Sequence, residues 1–525
     1  MKICIRLIVL LVVLIFSCDT ENTHYDLLIR NGIVYDGSGK EGVKADIGIV
    51  GDTIVAIGNL ALHTSKREID AMEWAVSPGF IDLHVHLDPI MQLSNCESAI
   101  RQGVTTSLGG PDGSSPWPLG AYLDSLQKIG VGMNVGYLIG HNTVRKNVMQ
   151  LENRPPTEDE LEQMKLQIRQ AMGEGAFGIS TGLKYLPGAF SKTEEIISLS
   201  KVAAENGGFY TSHLREEGLG LIEGVKEAIT IGKEANIGVV LTHHKVIGKP
   251  MWGASTKTLA LIEAARQRGQ DVMADQYPYA ASHTGIGVLI PAWSRSGGQQ
   301  KFKERVSDST LRDSIKKQII FSIMNDRGGG DLRRIQFASV SWNKDLEGKT
   351  LYDWCVMQGM QPTVENGADL VIQAQLNGKT SCIYHVMDED DIRRIMQYPH
   401  TAIASDGRLT KPGIGHPHPR WYGTFPRVLE KYVRQDSVLS LREAIRKMTG
   451  LPAQRMGLKN RGLLKVGYKA DIVIFDPQRI KENTTFEAPH QYPTGIHYVL
   501  VNGKLAVEQG QFLNKKYGEV LTRMQ

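Results

Sequence analysis

His84 and His86 stand two residues apart at the end of the run Gly79-Phe80-Ile81-Asp82-Leu83. Pro78-Gly79 sets the start of this apolar strand and Asp88-Pro89 stops it. Side chains at i and i+2 of a strand project to one face, so both imidazoles can aim at one point. Neutral imidazole is a common zinc ligand. Alone, a His-x-His pair reads equally as two polar residues on a half-exposed edge strand, and further ligands must come from elsewhere. Four later runs supply candidates: Ile179-Ser180-Thr181-Gly182-Leu183-Lys184-Tyr185, Tyr210-Thr211-Ser212-His213-Leu214-Arg215, Leu241-Thr242-His243-His244-Lys245 and Ala402-Ile403-Ala404-Ser405-Asp406. Five imidazole or carboxylate groups at successive strand ends (His84, His86, His213, His243 and Asp406) suit one metal cluster, provided that the fold gathers those ends.

The elements around these residues predict such a fold. Short apolar runs at Val104–Leu108, Val135–Ile139, Ala176–Ser180, Gly208–Ser212, Val239–Thr242 and Ile403–Ser405 read as strands. Helical patterns intervene at Thr157–Met172, Lys192–Glu205 and Leu219–Glu234. Alternating βα units in this number predict an α/β fold with a parallel sheet, most simply a (β/α)₈ TIM-type barrel, whose sites lie at the carboxyl ends of its strands. Residues 291–350 are longer and more charged than one connection needs and read as an insertion before the last strand. Tyr25 to Leu60 and the stretches 470–475 and 498–503 have a different texture, short alternating runs punctuated by glycine, and read as parts of a small β-domain.

Composition limits the alternatives. At 525 residues, 41% hydrophobic and 22% charged, the chain can bury a large core. A net charge of +4, with no basic tract, argues against nucleic acid as a partner. Lys2 and Arg6 precede the apolar run Leu7 to Phe16, a secretory pattern too short for a comfortable membrane span. The run ends Ile15-Phe16-Ser17-Cys18, which resembles a bacterial lipobox with cleavage before Cys18, although Phe16 is bulkier than usual there. The expected mature protein is therefore extracytoplasmic and tethered to a membrane by lipid on Cys18, with a plain signal peptide or an uncleaved anchor as alternatives. Cys96, Cys355 and Cys382 are too scattered for a disulfide framework and read as buried small hydrophobes.

Taken together, Pro-Gly-Phe-Ile-Asp-Leu-His-Val-His at 78–86, Gly-Val-Thr-Thr at 103–106, Ser-His-Leu-Arg at 212–215, His-His-Lys at 243–245, Ser-Asp-Gly at 405–407 and Gly-Thr-Phe-Pro-Arg at 423–427 resemble the D-aminoacylase branch of the amidohydrolase superfamily. The resemblance spans essentially the whole mature chain. It implies a barrel over 78–455 holding the insertion 291–350, a β-sandwich from 19–77 and 456–525, and hydrolysis of N-acyl-D-amino acids with one or two Zn2+ ions. It also implies metal ligation by His84, His86, His213 and His243, catalysis by Asp406, and a substrate-carboxylate contact from Lys245. His243 is preferred to His244 because the pattern of the branch is His-x-Lys.

One departure bears on the metal. The branch usually carries a metal-binding cysteine in a Gly-Asn-Cys-Gly loop after the Gly-Val-Thr-Thr strand. Here the loop reads Gly109-Gly110-Pro111-Asp112-Gly113. Either Asp112 coordinates directly, or Lys184, where hydantoinase-like relatives carry a carboxylated lysine, bridges two metals; the latter is slightly preferred. In the expected chemistry zinc polarises the amide carbonyl, and Asp406 shuttles the proton from water to the departing amine. Lys245, Arg215 and Arg420 would hold the substrate's α-carboxylate, with Tyr185, Tyr277 and His283 as further lining residues. A cyclic-amide hydrolase of the hydantoinase or dihydroorotase kind, a D-residue-specific dipeptidase, and a non-catalytic binding lipoprotein are the competing readings.

Overall fold

Eight short parallel strands follow one another along the chain: β1 (Phe80–Asp82), β2 (Val104–Gly109), β3 (Asn134–Tyr137), β4 (Gly178–Gly182), β5 (Phe209–His213), β6 (Val239–Leu241), β7 (Val272–Gln276) and β8 (Thr401–Ile403). The computed structural model describes residues 24–523, so the expected signal run and Cys18 lie outside the described residues. β1, β2 and β3 pair in parallel, and so do β4 through β8 in chain order. Ile139–Gly140, just beyond β3, pairs with β4 and joins the two groups. The ring closes where Val85–His86 runs parallel to Gly407–Arg408, with the Asp406 amide donating to the His84 carbonyl at 2.9 Å. Barrel closure thus sets the His-x-His stretch directly against Asp406.

The strands are buried along their whole length because both faces are covered, polar residues included. Val239, Val240 and Leu241 of β6 are all buried. Outside the strands, helices present apolar stripes to the core. In Glu158–Gly173 the buried residues are Met164, Ile168, Ala171 and Met172, the i, i+4, i+7, i+8 spacing of one helical face. That helix starts where expected, because Thr157 and Glu160 form a reciprocal capping box. Strand β7 was not among the runs expected from the sequence. Its polar end, Asp275-Gln276, interrupts the apolar pattern, yet both side chains are buried at the site described below.

Both ends of the chain build one β unit. A nine-stranded sheet combines the strands of residues 25–78 with Ile472–Phe475, Ile496–Val501, Lys504–Glu508 and Gln511–Phe512. The two halves meet where Ile472, Val473, Ile474 and Phe475 pair antiparallel with Pro78, Ser77, Val76 and Ala75. Ile29, Ile47, Ile49 and Ile54 pack in one core with Ile472, Ile474 and Leu500, giving the sandwich its interior. Arg461, buried, bonds to Asp471, Asn502 and Glu519. Asn134 of β3 donates to Asp471, which locks sandwich to barrel.

Between β7 and β8 the chain makes the inserted subdomain, a three-stranded antiparallel sheet of Ser282–Gly285, Thr380–Tyr384 and Ile335–Val340 with helices over it. Its own core includes Phe302, Ile315, Ile319, Phe337 and Trp354. The excursion extends on both sides of the expected 291–350, because its middle strand, Thr380–Tyr384, needs a partner on each edge. No described helix is long and apolar enough to cross a membrane.

Candidate metal centre

His84 and His86 follow β1, Asp112 follows β2, His213 ends β5, His243 follows β6 and Asp406 follows β8. All are at the carboxyl end of the barrel, where the strand ends converge. Their donor atoms form two groups, each within 4.8 Å: His84, His86, Asp112 and Asp406 in one, Asp112, His213 and His243 in the other. Asp112 belongs to both. One of its oxygens lies 3.6 Å from His84 Nε2 and 3.3 Å from His243 Nε2, the other 3.7 Å from His86 Nε2 and 3.7 Å from His213 Nδ1. Asp406 Oδ1 sits 3.5 Å from His84 Nε2 and 3.4 Å from His86 Nε2.

Backbone geometry aims these groups. Asp112, His243 and Asp406 all have positive φ, at 54°, 37° and 45°, a conformation non-glycine residues adopt rarely and mostly at functional sites. The loop carrying Asp112 threads between β3 and β4. Gly110, at φ +73°, could not bear a Cβ, which would lie 2.4 Å from the Leu138 carbonyl oxygen. Ser180 Oγ of β4 pins this loop by accepting from the Gly113 amide and donating to the Gly110 carbonyl.

A layer of hydrogen bonds behind the cluster fixes the imidazoles. His84 Nδ1 bonds to the Thr242 hydroxyl, which donates to Asp275 Oδ2 at 2.9 Å. With its proton on Nδ1, His84 presents a bare Nε2 to the carboxylates. Asp275 Oδ1 also accepts the His243 amide at 2.5 Å, so one strand-end carboxylate supports two cluster residues. Asp82 takes the same part on the other side, accepting from the Ser405 amide and hydroxyl. Glu217 Oε1 lies 3.3 Å from His243 Nδ1 and Oε2 lies 3.5 Å from His213 Nε2.

In this buried pocket, burial works against every charged group, and neighbours of opposite sign decide which stay ionised. Burial pushes His84 down to about 3, so it is neutral. Burial opposes ionisation of Asp112, but the nearby positive His243 holds its carboxyl well below the usual range. Burial likewise opposes the charge on Asp406, and Arg420 overcomes it. Burial and Lys245 work against a charged His243, yet Asp112 and Glu217 bring it up to about 10. Metal binding would require the ligating nitrogens to be free of protons.

Zinc fits these residues. Donors bound at ~2.0–2.1 Å to a tetrahedral ion lie about 3.3 Å from one another, close to the 3.3–3.7 Å separations around Asp112 and Asp406, whereas His213 Nδ1 and His243 Nε2, hydrogen-bonded at 2.7 Å, would have to part to share an ion. Charge-assisted hydrogen bonds between those carboxylates and imidazoles would be nearer ~2.7–2.9 Å. His84 Nε2, Asp112 Oδ1 and His213 Nε2 are buried without a hydrogen-bond partner, a costly arrangement that a cation among the donors would relieve at His84 and Asp112.

Among the other expected residues the structure divides sharply. Lys184, preferred above as a bridge, points elsewhere: its ammonium pairs with both Glu216 oxygens at 2.9 and 2.8 Å, and Asp112 occupies the shared position instead. Arg215 also turns away, gripping Glu227 through Nε and Nη2 at 3.0 and 2.8 Å. Lys245 is at the site but committed, donating to Glu217 at 2.5 Å beside His243 Nδ1. Arg420 pairs with Asp406 at 3.0 Å and lies over the Tyr277 ring at 4.5 Å. Tyr185 packs on His213 with ring centroids 4.4 Å apart, and His283 meets Trp421 edge to face. Tyr185, His283 and Trp421 line a cavity of about 1130 Å³ that runs out under the inserted subdomain. His244 points away to Thr258 Oγ1, and Cys96 is buried outside the cluster, with its thiol donating to the Ser94 carbonyl.

Three buried groups escaped sequence reasoning. Glu217 lies four residues after His213, an acid one helical turn from a candidate ligand, but the adjacent Glu216 gave no reason to separate the two. Asp275 was missed with its strand. Arg327, 3.7 Å from Glu217, comes from the insertion, where spacing carries no signal.

Comparison with known proteins places this geometry in context. Residues 348–507 match the model of the Amidohydrolase family. A D-aminoacylase of Alcaligenes xylosoxydans xylosoxydans is 35% identical, over 96% of this chain and 99% of that one. An N-acyl-D-glutamate deacylase of the same organism is also 35% identical, over 91% and 93%. The crystal structure of N-acyl-D-glutamate deacylase from Bordetella bronchiseptica, complexed with zinc and a phosphonate mimic of the tetrahedral intermediate, is 32% identical. It superposes with a TM-score of 0.81, covering 95% of this chain and 100% of that one.

Proposed function

This chain belongs to the D-aminoacylase family of amidohydrolases, and on that premise we propose that it hydrolyses the amide of N-acyl-D-amino acids with zinc, giving a carboxylate and a free D-amino acid. The observation that carries this reading is the pair of donor groups sharing Asp112. His84, His86 and Asp112, with Asp406 alongside, would hold one ion; Asp112, His213 and His243 would hold a second. Zinc supplies Lewis acidity, polarising the scissile carbonyl and bringing the pKa of a water toward ~7.

The chain's own groups do the rest. Asp406, kept ionised by Arg420 at 3.0 Å, takes a proton from the attacking water and delivers it to the departing amine nitrogen. Arg420 Nε and the Tyr277 hydroxyl are buried without partners, so they are free to receive the substrate's α-carboxylate. Lys245, engaged by Glu217, supports His243 rather than the substrate. The cyclic-amide alternative rested on Lys184 as a bridge, and its pairing with Glu216 removes that support.

The test is a paired assay of N-acetyl-D- and N-acetyl-L-methionine beside hydantoin and dihydroorotate, on zinc-loaded protein. Turnover of the D-compound alone is expected; turnover confined to the cyclic compounds overturns the reading. Asp406→Asn should abolish turnover while retaining bound metal.

The N-terminal pattern supports an extracytoplasmic protein tethered through lipid on Cys18. Cys18→Ala should move the protein out of the membrane fraction on cell fractionation. An unchanged distribution would refute the lipid anchor.

A further inference from the structure

His24, where the described residues begin, lies on the amino-terminal side of the barrel, opposite the metal centre. A short series of contacts shows this. Asp26 accepts the Gly51 amide at 2.7 Å. Gly51 packs against the turn at Gly503, where a Cβ would lie 2.2 Å from the Gly51 carbonyl oxygen. Asn502 of that turn donates to Asn134, the first residue of β3, at 2.9 Å. The last stretch of chain crosses the same side: Lys516 donates to the Ile129 carbonyl at 2.9 Å, and Gly518 pairs with Val131 just before β3.

That side carries cations without counter-charges. Lys465, Lys504 and Lys515 are exposed and make no ion pair with any described residue. Asp26, Asp52, Asp271 and Glu519, on the same side, each already hold a cation of their own, Lys66, Lys469, Arg455 and Arg461. Lys465 Nζ lies 5.6 Å from the centre of the Tyr468 ring and Lys504 Nζ 5.5 Å from that of Tyr517. Such pairs suit a lipid headgroup layer, where a tyrosine ring sits half-wet and an ammonium reaches phosphate. Apolar side chains accompany them. Val466, next to Lys465, is 54% exposed, and Leu62 is 92% exposed. Leu62 stands beside His24, because Thr64 accepts the Tyr25 amide at 3.1 Å.

We propose that this side, the sandwich end together with the amino-terminal face of the barrel, docks on an anionic lipid bilayer, so that the metal centre opens away from the membrane and takes its substrate from the aqueous side. This rests on the reading of Cys18 as the lipidated residue. Cys18 stands six residues before His24, and six residues in any conformation span at most about 20 Å. A lipid on Cys18 therefore keeps Leu62 and the neighbouring lysines close to the headgroups. Each lysine near an anionic surface strengthens binding by about fivefold. A second copy of this face is a poor occupant, because it would set lysine against lysine.

Vesicle binding tests the surface, using the full chain with Cys18→Ala so that no acyl chain masks the effect. Vesicles containing phosphatidylglycerol should bind it more tightly than vesicles of phosphatidylcholine alone. The combined change Lys465→Gln, Lys504→Gln and Lys515→Gln should weaken that binding about 10- to 100-fold and leave the melting temperature unchanged. Orientation is read on otherwise unaltered protein bound to the same vesicles. The described cysteines are buried, so a fluorophore can be attached through Leu62→Cys at the docking surface. A second can be attached through Ile414→Cys, at a residue 53% exposed on the wall of the large cavity beside the metal centre. A nitroxide-bearing lipid should quench the first label and spare the second. Equal quenching, stronger quenching at Ile414→Cys, or binding indifferent to phosphatidylglycerol and to the three lysines overturns the proposal. Failure of the anchor reading shows separately: Cys18→Ala then leaves the cellular distribution unchanged, while lysine-dependent vesicle binding still upholds the docking surface.

Discussion

Replacing Glu217 with Gln tests whether the support behind the histidines is electrostatic. The carboxylate accepts from Lys245 at 2.5 Å, lies 3.7 Å from Arg327 and faces His243 Nδ1 at 3.3 Å. At an effective dielectric near ~20, unit charges at the two cation distances attract by about 7 and about 4.5 kcal/mol. Much of that attraction offsets desolvation. The observable effect is the ~3–5 kcal/mol typical when one side of a buried pair is removed. Glutamine keeps the shape but strands two buried cations. Lys245→Met should cost less, because the carboxylate would still face Arg327 and two imidazoles. The double variant should recover part of the loss. With an unfolding entropy near ~2.1 cal/mol/K per residue, a chain of this length melting as one unit would lose about 3–5 °C. Glu217→Gln should also weaken zinc binding ~10–100-fold, since the carboxylate that holds Lys245 against His243 Nδ1 and faces His213 is lost. Differential scanning fluorimetry and zinc competition against a chromophoric chelator read the two effects. If Lys245→Met proved the more damaging change, or zinc affinity stayed the same in Glu217→Gln, the reasoning would be refuted.

Further outcomes follow from the same contacts. Asp112→Ala should deplete metal from both donor groups, whereas Lys184→Ala should leave metal content unchanged; mass-spectrometric metal counting that gave the reverse order would reinstate Lys184 as the bridge. Asp471→Ala should cost ~3–5 kcal/mol by taking from Arg461 its buried carboxylate partner, against ~0–1 kcal/mol for Glu519→Ala, whose carboxylate is 45% exposed. Denaturant midpoints compare the two. Lys447 is buried against the Tyr398 and Thr401 carbonyls, and burial lowers it to about 7. Between pH 7 and the unfolded value of 10.5 the unfolded chain binds the extra proton, so this group's contribution to stability rises with pH and is lost as pH falls to 7. Relative to Lys447→Met, the unaltered protein should therefore gain about 2–3 kcal/mol between pH 7 and 9; a gap independent of pH would contradict the burial of a neutral amine.

What the sequence disclosed depended on whether a residue's signal was local. The strand ends bearing His84, His86, His213, His243 and Asp406 announce themselves, because an apolar run must stop where its polar residues begin. The barrel then does the gathering, and all five meet as the βα alternation predicts. Arg215 and Lys184 sit in the same kind of place, yet their partners Glu227 and Glu216 come from turns and helices whose approach no spacing encodes. Arg327 belongs to the insertion, whose path over the barrel mouth depends on a sheet assembled from segments about fifty residues apart. β7 was invisible for the opposite reason: its chemistry, Asp275 holding Thr242 and the His243 amide, replaced the apolar end that marks a strand.

The aspartate standing in the loop where the family resemblance would place a cysteine changes what that loop can do. A thiolate offers one donor atom, whereas a carboxylate offers two on a rigid fork. Here the fork is spread across the cluster, one oxygen toward His84 and His243, the other toward His86 and His213. Each oxygen therefore touches one histidine from either donor group, and neither group is complete without it. Such a position tolerates no drift. It is held by a left-handed backbone at Asp112 itself, by Gly110 passing under the Leu138 carbonyl, and by Gly182 of β4, where a Cβ would lie 2.2 Å from the Asp112 carbonyl oxygen. The conformational cost of this loop and the charge it carries into the barrel mouth are coupled. Only a group that must serve two sets of imidazoles at once gains from being fixed so tightly.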